Sequence, residues 1–249
     1  MHLKSHIDMI RLAVTLICDK MIRDYIETFA RRKGRLSERQ KRGVDLLLQG
    51  RHSVGMGEVE AFSAGKRLVV EIGFGMGEDF LDRVIMYPDV AFIGIDVYPP
   101  AVGTMVMNVH EQGCQNVKIL FKDAMQVLME MPKASIDAVH LFFPDPWPKK
   151  RHHKRRMALQ QHFHDHMFFA LKPEGVFYFV SDWQPYADAV KSLYDHLGWT
   201  LGVCPLIDRE TKSKYEKRGL CLEHSITEFV YVKPKQLPLW TDSACVHLD

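Results

Sequence analysis

Leu68-Val69-Val70-Glu71-Ile72 runs straight into Gly73-Phe74-Gly75-Met76-Gly77, so an apolar run carrying one acid gives way to three glycines at alternate positions. The run predicts a buried strand. The glycines allow a sharp turn into a helix and let a ligand come close to the main chain. Outward from this unit the same order repeats. Short apolar runs at Leu68–Ile72, Ala91–Ile95, Val117–Phe121, Ile136–Phe142 and Val176–Val180 alternate with helical stretches that Pro99-Pro100, Pro132 and Pro173-Glu174-Gly175 help to delimit. This alternation predicts an α/β fold with a mostly parallel sheet covered by helices on both faces. Two more runs, Trp199–Val203 and Ile226–Val232, are joined by a polar stretch and suit an antiparallel hairpin at one sheet edge.

The glycine spacing narrows the ligand. Gly73, Gly75 and Gly77 form Gly-x-Gly-x-Gly behind an acid, whereas the dinucleotide fingerprint is Gly-x-Gly-x-x-Gly, so a dehydrogenase is the weaker reading. The ends of the following strands carry Asp96, Asp123 and Asp145. In an open parallel sheet the ligand lies outside the carboxyl ends of the strands, so these acids and Glu71 are expected to ring one crevice. Asp96 would accept from ribose hydroxyls and Asp123 from an adenine amino group. So acidic a crevice repels a diphosphate but suits a cationic sulfonium, which points to S-adenosylmethionine. Taken singly, each acid reads equally well as a helix cap or a solvated side chain.

The second decisive stretch is Phe143-Pro144-Asp145-Pro146-Trp147-Pro148, which leads into Lys149-Lys150-Arg151-His152-His153-Lys154-Arg155-Arg156. A carboxylate and an indole among three prolines make a stiff corner able to grip a flat heterocycle, and the cations beside it could grip phosphate. The net charge is only +2, yet Lys149–Arg156 carries +6. The set Arg31, Arg32, Lys33, Arg35, Arg39, Lys41 and Arg42 with Glu38 carries another +6, which leaves −10 for the remainder. Charge gathered in this way in an otherwise acidic chain predicts a polyanion partner rather than general solubility.

With 249 residues, 47% of them hydrophobic, the chain can bury one substantial core. Apolar residues at Ile10, Ala13, Val14, Ile17, Met21, Tyr25 and Phe29 keep helical spacing and predict an N-terminal helix. Ser37-Glu38-Arg39-Gln40 has the form of a capping box and predicts a second helix ending near Gly50. The expected organisation is an N-terminal helical, basic, RNA-contacting extension over residues 1–60, a main domain over 61–234 and a tail over 235–249. The five cysteines are scattered, which argues against a disulfide framework or structural zinc. His162 and His166 lie one helical turn apart with His164 between them, but no third ligand stands at a defined spacing, so no metal site is expected. Charges at Asp8, Arg11, Asp19 and Lys20 interrupt the apolar N-terminal stretch, and a membrane span or secretory leader is not expected. The expected location is the cytoplasm.

Taken together, these motifs resemble the bacterial-type tRNA (guanine-N7-)-methyltransferase family. The similarity runs from about Phe29 to about Val232. It includes Arg31-Arg32-Lys33-Gly34-Arg35-Leu36-Ser37, the Glu71–Gly77 loop, Asp123-Ala124, the Asp145 segment, Ser181-Asp182-Trp183 and Ser213-Lys214-Tyr215-Glu216-Lys217-Arg218-Gly219. The Asp145 run is highly specific, while the glycine loop is common to most S-adenosylmethionine enzymes. The resemblance implies a Rossmann-like class I methyltransferase fold with a seven-stranded sheet. It implies methyl transfer from S-adenosylmethionine to N7 of guanine 46 in the tRNA variable loop. It also implies that Glu71, Asp96, Asp123 and Asp145 contact the cofactor, together with Gly73, Gly75 and Gly77, and that Asp145 serves the reaction. Lys149, Asp182 and the segment Ser213, Lys214, Tyr215 and Glu216 would bind tRNA, with Arg151, Lys154, Arg155 and Arg156 holding its backbone. No obligatory protein partner is implied, and monomer and homodimer both stay open. This chain has Asp96 where the family usually has glutamate and Ser181 and Ser213 where threonine is usual. Cys221 and Glu223 stand where the pattern reads Arg-Leu-Gly-His.

Guanine N7 has an in-plane lone pair and no proton, so positioning is the main requirement for its alkylation. Trp147 is expected either to stack on the base or to pack in the core. Two rival classes remain. An RNA-binding module without catalysis would keep the cations but would not need an acid at each strand end. A methyltransferase of adenine or of an amide would more commonly carry Asn-Pro-Pro-Tyr where this chain has Asp-Pro-Trp.

Overall fold

The computed structural model describes residues 26–29, 35–204, 225–238 and 240. Its helices are α1 Glu38–Leu48, α2 Val59–Phe62, α3 Glu78–Met86, α4 Pro99–Gln112, α5 Ala124–Glu130, α6 Gln161–Ala170 and α7 Gln184–His196. Its strands are β1 Arg67–Ile72, β2 Val90–Ile95, β3 Val117–Leu120, β4 Ile136–Phe142, β5 Leu171–Ser181, β6 Thr200–Leu201 and β7 Thr227–Val232. They form one seven-stranded sheet in the order β3-β2-β1-β4-β5-β7-β6. β1 to β5 run parallel, and β7 is antiparallel to both β5 and β6. The strand order reverses between β1 and β4, so a crevice opens beyond their carboxyl ends.

Alternation along β1 divides the core. Leu68, Val70 and Ile72 face a cluster built with Phe163 and Met167 of α6 and Tyr186, Val190 and Tyr194 of α7. Val69 faces the other side, against Phe80 and Val84 of α3 and Met105 and Val106 of α4. Both faces of the central strands are therefore apolar, as a parallel sheet under two helix layers requires.

The capping box forms: Ser37 Oγ accepts from the Gln40 amide, and the Gln40 side-chain oxygen accepts from the Ser37 amide. The helix it starts lies very close to α4. A Cβ added at Gly43 would come within 2.0 Å of the Gly103 carbonyl, so only hydrogen fits at that crossing. Arg39 fastens the same crossing, pairing with Glu111 at 2.6 Å and Asn108 at 2.8 Å. Lys41 pairs with Glu38. These two members of the N-terminal basic group thus have partners within the protein. Arg31, Arg32 and Lys33 lie outside the described residues.

Three elements differ from the sequence reading. β5 begins at Leu171 rather than Val176, because the ladder with β4 jumps from the Ile136–Leu171 pair to the Ala138–Val176 pair and absorbs Pro173-Glu174-Gly175 as a bulge. β6 keeps only Thr200 and Leu201: the Trp199 side chain is buried, and its Nε1 donates to His164 Nε2 at 2.9 Å. Residues 26–29, placed at the end of the predicted N-terminal helix, are not helical. Side chains from elsewhere in the fold occupy the carbonyls of all four residues. The remainder of that predicted helix lies outside the described residues. Among the described residues no helix is long and apolar enough to cross a membrane.

Candidate active site

A cavity of about 370 Å³ occupies the crevice at the carboxyl ends of β1 to β4. Its lining includes Gly73 and Gly75 after β1, Asp96 after β2, Asp123 after β3, Phe142 and Asp145 from the end of β4, and Thr28 and Phe29 from the segment 26–29. Of the expected cofactor residues, five therefore line one space: Gly73, Gly75, Asp96, Asp123 and Asp145.

The glycine loop takes its shape from backbone bonds. Gly73 sits at φ +74° and its amide donates to the Ile95 carbonyl at 2.8 Å, while a Cβ added there would meet nothing. Its main chain is thus open to close approach from the cavity. Gly75, at φ +58°, donates to Asp96 Oδ2 at 3.2 Å, and Asp96 Oδ1 accepts from the Tyr98 amide at 2.8 Å. A carboxylate oxygen can accept two bonds, so capacity remains for a ligand hydroxyl. Burial raises the Asp96 carboxyl to about 6 against the bonds from Tyr98, Gly75 and Val97, and the Asp145 charge adds to the rise. Asp123 caps α5, accepting from the Met125 amide at 3.0 Å, while lining the cavity. The lining cation Lys122 pairs with Glu130.

Two expected cofactor residues, Glu71 and Gly77, are not among those that line the cavity. Glu71 shares a face of β1 with Val69, so its carboxylate points under α3 and not into the crevice; it is 4% exposed. Arg83 Nη2 meets Glu71 Oε2 at 2.5 Å and Arg83 Nη1 meets Asp79 at 2.6 Å. His140, the register partner of Glu71 on β4, lies 3.6 Å away. Burial alone would raise Glu71, but Arg83 and His140 hold it below the usual carboxylate value. Gly77 caps α3 at φ +81°, and a Cβ there would lie 2.6 Å from Met105 Sδ. Its task is close packing on α4.

The Asp145 corner is tightly wound. Phe143 and Trp147, each followed by proline, adopt φ of 49° and 45°, a region unfavourable for bulky residues and doubly so before proline. Such outliers cluster at functional sites. Between these two reversals Asp145 is exposed at the cavity mouth. Beyond it a 3₁₀ turn, Lys150–Arg155, carries the cationic run.

That run divides into two sets. Lys149, Lys150, Arg151 and Lys154 are exposed. Arg156 is 3% exposed, donates to the Pro146 carbonyl at 2.9 Å and lies 5.1 Å from the Tyr186 ring centre, which removes it from any phosphate. Arg155 lies 4.1 Å over the Trp147 ring and donates to the Glu27 and Phe29 carbonyls. Trp147 Nε1 donates to the Thr28 carbonyl at 3.0 Å. Of the two readings left open for Trp147, packing is the one this arrangement favours, and Arg155 and Arg156, expected to hold the RNA backbone, are engaged within the protein.

Asp182 follows β5 but does not line the cavity. Ser213, Lys214, Tyr215 and Glu216 lie outside the described residues, as do Cys221 and Glu223. His162 and His166 stack with ring centres 6.3 Å apart, while His164 turns into the core. Sequence reasoning missed Thr28, Phe29, Tyr98, Phe142 and Met157 as lining residues. Phe142, the last residue of β4, and Tyr98, in the loop between β2 and α4, could have been found from those places; nothing local signals Thr28 or Phe29.

Residues 65–228 match the family model described as a putative methyltransferase. Among solved structures, the 16S rRNA methyltransferase KamB is similar with a TM-score of 0.55 at 14% identity, over 73% of this chain and 95% of that one. A variant of the 16S rRNA (adenine(1408)-N(1))-methyltransferase from Catenulisporales acidiphilia, solved with its cosubstrate, gives 0.54 at 16% identity over 75% and 95%. At such identities the likeness shows the fold alone. Sequence relatives reach further. The tRNA (guanine-N(7)-)-methyltransferase of Ralstonia nicotianae is 38% identical over 218 residues, covering 84% of this chain and 86% of the relative. That of Nitrosococcus oceani is 36% identical over 209 residues, covering 81% and 88%. A class I crevice ringed by strand-end acids, joined to likeness over most of both chains, thus carries the conclusion: this chain belongs to the tRNA (guanine-N(7)-)-methyltransferase family.

Proposed function

We propose that the protein transfers a methyl group from S-adenosyl-L-methionine to N7 of a guanine in tRNA, the target being position 46 of the variable loop. The observation that carries this reading is the place of Asp145, exposed between the acidic cavity on one side and Lys149, Lys150, Arg151 and Lys154 on the other. The cavity suits the cofactor: main chain open at Gly73, and acceptors rather than cations at Asp96, Asp123 and Asp145. S-adenosylmethionine, when bound, supplies an electrophilic methyl on a cationic sulfur.

The residues divide the remaining work. Asp96 accepts ribose hydroxyls, Asp123 orients the adenine edge, and Gly73 and Gly75 let the ligand approach the backbone. Asp145 stabilises the positive charge that the purine acquires as N7 is alkylated, a fixed carboxylate beside developing charge gaining in effect once the bound base excludes water from it. The exposed cations hold the RNA backbone and set affinity more than sequence choice. Asp182 and Ser213, Lys214, Tyr215 and Glu216 complete the RNA-binding set. Residues 61–234 form the methyltransferase unit, flanked by the basic extension through residue 60 and the tail from 235. Incubation with labelled S-adenosylmethionine and unmodified tRNA, followed by nucleoside analysis, is expected to give N7-methylguanosine; methyl on adenine or protein would overturn the reading.

Two predictions arise at this site. Replacing Lys149, Lys150, Arg151 and Lys154 by alanine is expected to weaken tRNA binding and flatten its salt dependence, by roughly 0.7–0.9 in log–log slope for each phosphate that is no longer neutralised. Affinity for S-adenosylhomocysteine should change little. An unchanged slope would make these residues a solvated turn.

The other concerns pH. Ribose hydroxyls donate to the ionised form of Asp96, whose carboxyl is raised to about 6. Ligand affinity is therefore expected to be full above that pH and to fall below it, by about tenfold per unit at the limit. Calorimetry with S-adenosylhomocysteine between about pH 5 and 8 measures it, and a flat profile there would separate Asp96 from the ligand.

A further inference from the structure

We infer that Trp147 and Arg155 are positioning residues for the cofactor cavity: they latch residues 26–29 in place as one of its walls. The inference rests on the proposed use of that cavity. Four side-chain bonds reach the four carbonyls of this segment. Gln160 Nε2 donates to Ile26 at 3.0 Å, Arg155 Nε to Glu27 at 2.9 Å, Trp147 Nε1 to Thr28 at 3.0 Å and Arg155 Nη2 to Phe29 at 2.8 Å. Residues 26–29 belong to no strand or helix, so these donors take the place that a ladder would fill in a sheet.

The two donors also hold each other. The Arg155 guanidinium lies over the Trp147 indole at 4.1 Å, and His152 meets the indole edge-on, so each donor is oriented by a contact other than its bond to the segment. The other side of the segment carries Thr28, 6% exposed, and Phe29, and both line the cavity. Every latch bond goes to main chain. The identity of the wall residues is thus free to serve the ligand, while Trp147 and Arg155 fix where they stand. A cation that charge counting assigns to phosphate is instead a bracket for the neighbouring site.

Calorimetry with S-adenosylhomocysteine, without tRNA, tests this in the full chain. Arg155→Ala removes two charge-assisted bonds and is expected to weaken binding about tenfold or more, and Trp147→Phe, which keeps an aromatic ring but not the N–H, about threefold to tenfold. The salt slope of tRNA binding should stay at its wild-type value in both. A double-mutant cycle separates a latch from a folding role. Phe29→Ala should weaken the ligand in the wild-type background and add nothing in Arg155→Ala, because an unlatched wall no longer meets the ligand. Additive losses would overturn the inference. So would Arg155→Ala with unchanged ligand affinity and a reduced salt slope, which would make Arg155 an RNA-binding residue. If the wild-type protein bound no S-adenosylhomocysteine, the proposed function would fail and this inference with it; wild-type binding with an indifferent Arg155→Ala would sink the latch alone.

Discussion

Arg83→Met is expected to destabilise the protein by about 3–5 kcal/mol, the scale seen when one partner of a buried ion pair is removed. Glu71 is 4% exposed and Arg83 3%, so the carboxylate left behind would have no access to water. The double variant Arg83→Met with Glu71→Gln should recover part of the loss, because it removes the more deeply buried of the two carboxylates that Arg83 pairs with and leaves only Asp79 without its cation. Urea midpoints at constant m-value measure both. The sign of the pH dependence follows from the lowered Glu71 carboxyl. A depressed acid contributes stability that is present above its unfolded value and lost as pH falls through the folded one, so wild type and Arg83→Met should converge in acid. A loss below about 1 kcal/mol for Arg83→Met, close to the range of ordinary surface substitutions, would show that the pair is not a brace of the fold.

That pair also marks where sequence reading stopped. The strands were legible because Leu68–Ile72 and its counterparts are apolar on both faces, and the Gly73–Gly77 turn announced a ligand crevice with Asp96, Asp123 and Asp145 at the following strand ends. Glu71 fitted the same pattern, but its direction depends on strand alternation and on Arg83, twelve residues on, and His140, the register partner on β4. No local spacing reports such a long-range pair. The cationic run failed for a related reason. Counting charge treats Lys154, Arg155 and Arg156 alike, yet one is exposed, one is spread on an indole and one is buried against Tyr186. Guanidinium groups bond backbone carbonyls and stack on rings, so an arginine in a basic run can be structural in a way that a lysine seldom is.

This division sharpens the role left to Asp145. Glu71 is neutralised by Arg83, and Asp96 and Asp123 are engaged with backbone amides of the loops they anchor. Asp145, held out between the reversals at Phe143 and Trp147, is the exposed one of the four strand-end acids, and under the proposed function it stands where the base enters. Positive charge develops on the purine only as the methyl arrives, so a carboxylate there stabilises the transition state more than the bound ground state, and its effect belongs in the chemical step. Asp145→Asn keeps shape and hydrogen-bonding capacity while removing the charge. It is expected to leave tRNA affinity nearly unchanged and to lower the single-turnover rate at saturating cofactor by ~100-fold or more. Because Asp145 also lines the cofactor cavity, S-adenosylhomocysteine affinity must be measured alongside, so that a binding loss is not read as a chemical one. Ionised Asp145 raises the Asp96 carboxyl, so removing that charge should also move the pH midpoint of ligand binding downward. A slowed reaction with an unmoved midpoint would place the two acids in separate environments. An undiminished rate would remove Asp145 from the chemistry.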